Sequence, residues 1–339
     1  SVVVRNNAFT GIYSSNSDIR IINSTISYNY LNQVWSEYRG GGIDLVMASN
    51  VVISNNTIAN NFSFSFGGGI RVQLAQGASA SVTNNTISNN VTRDGAGGMA
   101  LEVRSAISVT ISDNTFFNNV AGFSGGAVFI HNGNDDSASV SVTNNIIHGN
   151  QARGGGGLAV GGGSSPFTIS GNVIANNIGG DDGGGGILLV GAADQNVTIS
   201  NNTISDNESN FGSAIYIQAA SSASSTIQHN TFQNNQGSGS SSVVYIYDPF
   251  GRDAFQSTFI SNNFLSNDTT YALYLNQAEG VTDFDISGQW WNTTNSASID
   301  SLIYDWNDDA INNLAAYSPF LTIPSTTGPP GIPTNVAAQ

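Results

Sequence analysis

The chain has 339 residues, including 39 Gly and no Cys, and only 9% of them are charged; the eight basic residues are all Arg and face 23 Asp and Glu, for a net charge of −15. A chain this acidic and without Lys has little to hold a phosphate backbone, which excludes nucleic acid as a partner. Low charge with abundant Asn, Ser, Thr and Gly would suit disorder, but a 39% hydrophobic share at regular positions argues against it, and no apolar run is long enough to insert in a membrane.

The first residues, Ser1-Val2-Val3-Val4, carry no secretory leader, so the chain is expected to be an internal piece of a longer protein. Asn7 and Ser24, taken as equivalent markers, lie only 17 residues apart, which leaves residues 1–18 without a regular place. From Ile19 onward a repeat is legible. The segments Val51 to Asn61, Ala80 to Asn90, Val109 to Asn119, Val140 to Asn150, Phe167 to Asn177, Val197 to Asn207 and Ser225 to Asn235 align, with weaker copies at Thr258 to Asp268 and Phe284 to Thr294. Their second Asn gives a column of markers: Asn56, Asn85, Asn114, Asn145, Asn172, Asn202, Asn230 and Asn263. The steps between them are 29, 29, 31, 27, 30, 28 and 33 residues, one coil each. A second column follows five residues later, from Asn61 to Asn235. Asn tolerates bends, and its amide can bond to an identical amide above and below, so both columns predict internal ladders.

Between these units sit glycines followed by an alternating apolar strand, as in Gly68-Gly69-Ile70-Arg71-Val72 and Gly185-Gly186-Ile187-Leu188-Leu189. Alternation with period two predicts a strand, and Gly at its mouth suits the positive φ of a sharp corner. Coils of one kind stack only if each strand pairs with its counterpart one coil away, which makes the sheets parallel. The expected fold is all-β: a right-handed parallel β-helix of about ten coils with a C-terminal cap containing a short helix. Its core columns run Ile53, Val82, Ile111, Val142, Ile169, Ile199, Ile227, Ile260 and Ile58, Ile87, Phe116, Ile147, Ile174, Ile204, Phe232, Leu265.

The β-helix is expected over residues 1–295, the cap over 296–321 and a Pro-rich linker to a following domain over 322–339. Ser298 is expected to begin the cap helix, with Trp290, Trp291, Trp306 and the stretch Tyr317 to Leu321 closing the stack. No such cap precedes the first strand, so homo-oligomers stacked end to end are a further expectation.

The alternation of GG[AIGM]-strand with [FI]-x-x-N resembles the GGA[ILV] and FxxN repeats of the polymorphic outer-membrane protein adhesins, and more broadly the pectin-lyase-like β-helix superfamily, over about residues 1 to 295. The run Gly331 to Ala338 resembles the opening strand of fibronectin type III-like modules. These resemblances imply an extracellular or cell-surface module of a larger protein, non-catalytic, acting as a rigid adhesive rod. The superfamily also holds polysaccharide lyases and glycoside hydrolases, the competing reading. Their enzymes use Asp clusters with calcium or Asp pairs and a basic residue. Zero Lys removes the Lys-dependent families, and His148-Gly149 is all that remains of the hydrolase pattern.

What does not repeat carries the candidate sites. The loop acids Asp94, Asp135-Asp136, Asp181-Asp182 and Asp194 remain, of which Asp94, Asp181 and Asp182 are the set considered for calcium. Asp181 or Asp182 is first expected to pair with Arg153, one coil earlier. Asp44, Arg71, Glu102 and Arg104 should point outward and pair across coils. His131, His148 and His229 fall in different coils and form no metal set. On the outward side of the Gly-led strand, Phe129 in a middle coil gives way to Tyr216, Tyr245 and Tyr274, spaced 29 and 29, with Tyr247 beside them. Such a strip, stacked about 5 Å apart, suits sugar rings or a protein surface. Of the Asn-x-Ser/Thr sequons, Asn55, Asn84 and Asn201 precede the ladder and are the candidates for glycosylation; Asn61, Asn90 and Asn207 should be buried.

Overall fold

The protein is described by a computed structural model for residues 2–31, 39–103, 106, 108–132, 138–162, 166–192, 196–219, 224–238, 241–248, 256–277, 284–305, 307–309 and 314–326. Arg104, Asp135, Asp136, Asp194, Trp306 and the run Gly331 to Ala338 lie outside these described residues.

The chain winds as a parallel β-helix of about nine turns with three faces. One face is a 10-stranded sheet of short strands that follow the first Asn column, from Val3–Arg5 through Thr86–Ser88 to Asn263–Leu265. A second, 6-stranded face runs from Tyr30–Leu31 to Ile178–Gly183. The third carries the Gly-led strands and, after them, the strands that lead into the next Asn. In two early coils these merge into single long strands, Ile43–Ser54 and Ile70–Thr83. Every strand pairs in parallel with its counterpart one coil away, for instance Ile87 with Ile58 and Phe116. The interior is one aliphatic core, in which Ile53, Val82, Ile111, Ile169, Ile199 and Ile227 are all fully buried.

The Asn columns form the two ladders, and each bend uses a pair of residues. The first adopts the left-handed conformation, as Asn84 does at φ 56° and Asn89 at φ 53°. The second turns inward. The Asn85 amide donates to Asn114 Oδ1 at 2.9 Å and to the Ile53 carbonyl at 2.8 Å, and its backbone N–H donates to the same Asn114 Oδ1 at 2.9 Å. The left-handed position accepts several residue types: Asp113, Gly171, His229 and Ser261 hold it in other coils.

That tolerance corrects the register of the eighth marker. Ser261, at φ 50°, takes the left-handed place, so Asn262 and not Asn263 enters the ladder. Asn262 Oδ1 accepts from Asn230, and Asn262 donates to Gln289 Oε1 at 2.9 Å, where the ladder ends. The core shifts with it. Phe259 and Phe264 are buried where Ile260 and Leu265 were expected, and Ile260 is 39% exposed. Asn263 instead holds the tail: its amide donates to the Ser325 carbonyl at 3.2 Å, and its Oδ1 accepts from the Ser325 N–H at 2.8 Å. At the other end, Asn7 belongs to the second ladder, accepting none of the first column's bonds and donating to Asn29 Oδ1 at 2.7 Å. Ser24 takes the first-ladder place, with its N–H bonded to Asn56 Oδ1. The first coil is therefore short but stacked, Val3 pairing with Thr25.

The glycines at the strand mouths serve close approach more than positive φ. A Cβ on Gly68 would lie 2.6 Å from the Gly97 carbonyl oxygen, and one on Gly97 would lie 2.5 Å from the Val120 nitrogen. The left-handed corner falls one residue earlier, at Gly67 with φ 63°.

At the carboxyl end Trp291, 2% exposed, stacks on Phe264 with ring centroids 4.8 Å apart, and Ile286, Ile299 and Ile303 complete the core. The helix Ser296–Asp300, the only one among the described residues, starts earlier than expected because Asn295 caps it, its side chain accepting from the Ser298 N–H.

Candidate functional site

The outward side chains of the Gly-led strands form a register that crosses every coil: Tyr13, Asp44, Arg71, Ala100, Phe129, Ala159, Leu188, Tyr216, Tyr245, Tyr274 and Tyr304. A second column two residues further along holds Gln73, Glu102, His131, Gly161, Val190, Gln218, Tyr247 and Asn276. Glu102 thus stands beside Arg71's column and not in it, as does Tyr247 relative to Tyr245.

Four tyrosines, not three, stack at the carboxyl end. Ring centroids are 5.2 Å apart for Tyr216 and Tyr245, 4.9 Å for Tyr245 and Tyr274, and 4.1 Å for Tyr274 and Tyr304. Tyr304 lies beyond the last repeat copy and was not expected, although its step of 30 residues from Tyr274 continues the spacing; it enters the stack by pairing on the cap strand. Burial, with Tyr245, Tyr247 and Asp182 nearby, pushes the Tyr216 hydroxyl up to about 12. Burial and a hydrogen bond to Tyr304 hold that of Tyr274 well above its usual value. Tyr245 is 8% exposed and its hydroxyl accepts from Asn276 Nδ2 at 2.9 Å.

Over these columns lies a cleft of about 1260 Å³. It brings together candidates that stand far apart in the sequence: Phe129, Tyr216, Tyr245 and Tyr247 from the Gly-led strands, Asp94 from a turn, and Asp181 and Asp182, expected in a loop, from the strand Ile178–Gly183 of the 6-stranded face. Tyr274 continues the stack outside the cleft. Phe123, 56% exposed, and Phe211, 41% exposed, join them from the turns that precede the Gly-led strands of two other coils, and Phe211 meets Tyr245 edge-on at 5.5 Å. Neither was anticipated, because loop aromatics do not repeat and their register becomes visible only once the coils are stacked. From Arg71 to Tyr245 the floor spans six rungs, about 29 Å at ~4.8 Å per rung.

The charged end of the cleft is built around Arg71. Its guanidinium donates to Asp44 Oδ1 at 3.0 Å and to Glu102 Oε1 at 2.8 Å, and Gln73 Nε2 donates to Glu102 Oε2 at 2.9 Å. These charges pair across coils as expected, but not on a solvated surface: the Asp44 and Arg71 side chains are 0% and 5% exposed. Burial pushes the Asp44 carboxyl up, against the pull of Arg71. Arg153 Nε meets Asp182 Oδ2 at 3.1 Å, the cross-coil bridge predicted for that loop. Among the described residues no group of three or more His, Cys, Asp or Glu could hold a metal ion. His131 is exposed, His148 stacks on Phe117 at 5.5 Å with burial lowering its pKa, and His229 sits at a bend. Asn55, Asn84 and Asn201 occupy exposed left-handed bends, whereas Asn61, Asn90 and Asn207 are buried. No described helix is long and apolar enough to cross a membrane.

No curated protein and no solved structure gives a significant match to the chain. The family model described as a right handed beta helix region matches residues 1–137 and 123–245. With that match covering most of the chain and the parallel coils seen throughout, the protein belongs to the right-handed β-helix family.

Proposed function

We propose that the protein is a non-catalytic, extracellular β-helix rod that binds carbohydrate through the cleft on its Gly-led face. The observation that carries this reading is the run of ordered aromatic rings, Tyr216 and Tyr245 stacked at 5.2 Å with Tyr247 and Phe211 beside them, that forms the floor and wall of one end of the cleft. Rings held in place lose little conformational entropy on binding; the stacked Tyr216 and Tyr245 cover one another's faces, so apolar contact with sugar C–H groups falls to their edges and to the half-buried Tyr247. The ladders and core make the floor rigid over several coils, which favours an extended polymer over a compact ligand. The resemblance of the repeats to surface adhesins supports the placement outside the cell.

Affinity electrophoresis against a panel of soluble polysaccharides tests the reading. Retention is expected for the native chain, with at least about tenfold weaker binding for Tyr247→Ala and Tyr216→Ala and no new reducing ends. Equal retention of both variants would remove the cleft as the site. New reducing ends, or an unsaturated product absorbing in the ultraviolet, would replace the binding role by the competing lyase or hydrolase reading, with the carboxylates of the cleft as the first residues to substitute.

A further inference from the structure

On the outer side of the 10-stranded sheet, away from the cleft, one column of residues includes Thr57, Thr86, Thr115, Val173, Thr203 and Thr231. The same alternation points each of them outward, so their surroundings should be alike. They are not. Thr57 is exposed and Thr86, Thr115 and Thr231 are half-buried, but Val173 is 3% exposed and Thr203 5%. Residue type does not account for this, since Thr203 differs from four other threonines in the same register. Beside them on the outer side, Ala175 and Ser205 are 1% and 0% exposed.

The two coils supply no cover of their own. The strand Thr203–Ser205 runs between the bends Asn201-Asn202 and Asp206-Asn207, and Val173–Ala175 between Gly171-Asn172 and Asn176-Asn177. Bends of two residues leave no loop that could fold back over the sheet. The carboxyl tail does approach this face. The Gly288 N–H donates to the Pro319 carbonyl at 2.6 Å and the Leu321 N–H to the Gln289 carbonyl at 2.9 Å, beside Trp290, which pairs with Asn263. Ser325 is then tied to Asn263 itself, at 2.8 and 3.2 Å. Asn263 is the next member of the outward column after Thr231. From the cap the chain has thus turned back along the rod, and at Ser325 it stands three rungs from Val173, about 14 Å at ~4.8 Å per rung. Residues 327–339, 13 in number, span up to about 43 Å when extended.

We propose that residues 327–339 lie along the outer face of the 10-stranded sheet and cover Val173 and Thr203, tying the cap to the middle coils. The chemistry of the two sides agrees. Within a sheet the backbone N–H and C=O groups are already paired with neighbouring coils, so a chain on the face gains side-chain contact and no new strand pairing. Pro329, Pro330 and Pro333 suit that role, having no N–H to satisfy and little backbone freedom to lose. The segment carries no charged side chain, and Val173, Ala175, Thr203 and Ser205 are small and uncharged as well. This surface is a groove for an uncharged, proline-rich strand, and it is independent of what the cleft binds.

The chain has no Cys, so a single introduced thiol reports the cover. In the full chain, Thr203→Cys is expected to react with a maleimide at least about tenfold more slowly than Thr57→Cys at the exposed equivalent position. Val173→Cys repeats the measurement one rung away, so that the result does not hang on the folding of one variant. Adding Ile332→Asp and Val336→Asp to Thr203→Cys changes no residue of any coil; charges there oppose burial and should raise the rate to that of Thr57→Cys. Equal rates for the thiols at 203 and 57 without those changes would overturn the proposal. A slow thiol that stays slow with both Asp in place would assign the cover to another segment and overturn it too. A slow thiol that quickens on dilution would assign the cover to the tail of a second copy, again against the proposal.

Discussion

At each bend of the coil two neighbouring residues divide the work, one turning the chain through the left-handed region and the next satisfying buried backbone groups from inside. Only the second must be Asn, because it needs a donor and an acceptor on one short side chain. Asn262 and Asn263 separate the two jobs. Asn262 Oδ1 accepts two bonds from Asn230, one from its backbone N–H at 2.9 Å and one from its amide at 3.1 Å, so Asn262→Ala strands buried donors. At about 1–3 kcal/mol per stranded group, denaturant melts should show a loss of roughly 3 kcal/mol or more. Asn263→Ala removes two partly buried bonds to Ser325 and should cost only about 1–2 kcal/mol, while hastening proteolysis near the tail. The reverse order of the two losses would return Asn263 to the ladder. The sequence showed the Asn columns in seven coils but misplaced the eighth by one residue, because Asn-Asn pairs elsewhere made the left-handed position look obligatory and Ser261 disguised it.

At the scale of the element, the glycine column and the tyrosine stack set opposite constraints on the Gly-led strand. The mouth of the strand must approach the next coil closely, and Gly97→Ala would place a Cβ 2.5 Å from the Val120 nitrogen and 2.7 Å from the Gly126 oxygen. Overpacking of this kind costs about 1–3 kcal/mol, read as a fall in the denaturation midpoint; an unchanged midpoint would show that the coils can part without penalty. Three residues further, the stack makes the strand sensitive to alkali. Tyr216 has a folded pKa of about 12 against an ordinary value of 10.0, and Tyr274 is raised as well. An acid with its pKa raised on folding keeps its proton longer in the folded state, so its stabilising contribution is complete below pH 10 and is lost as pH rises towards 12 and beyond. Tyr216→Phe combined with Tyr274→Phe should therefore flatten the fall in stability through that alkaline window. A fall as steep as that of the native chain would mean that these hydroxyls are not the groups resisting ionisation. The spacing of Tyr216, Tyr245 and Tyr274 was open to reading because all three lie in regular coils. Tyr304, 30 residues on from Tyr274, keeps the same period and was passed over because it lies beyond the last repeat copy, in the cap.

At the scale of the molecule, stacked coils of one kind build a rigid rod whose stability is the sum of neighbouring contacts, and whose repeated residues are absorbed by core and ladder. The fold was therefore legible almost throughout: periodicity records what every coil must do. The cleft was legible only in pieces. Phe129, the acids and the tyrosines each stood out, but nothing in the spacing of Asp94 and Tyr247 places them in one cavity; that follows from the stacking of the coils, which lines up the segments before the Gly-led strands beside those strands. Phe123 and Phe211, in such segments of two other coils, escaped notice for the same reason. The account stands on that cleft holding an extended sugar chain. A crystal structure of the protein soaked with the hexasaccharide it retains best tests this most directly. Density is expected along the Gly-led face between Arg71 and Tyr245, with sugar rings against Tyr216 and Tyr247; an ordered sugar on another face, with the cleft holding only solvent, would overturn the proposed role.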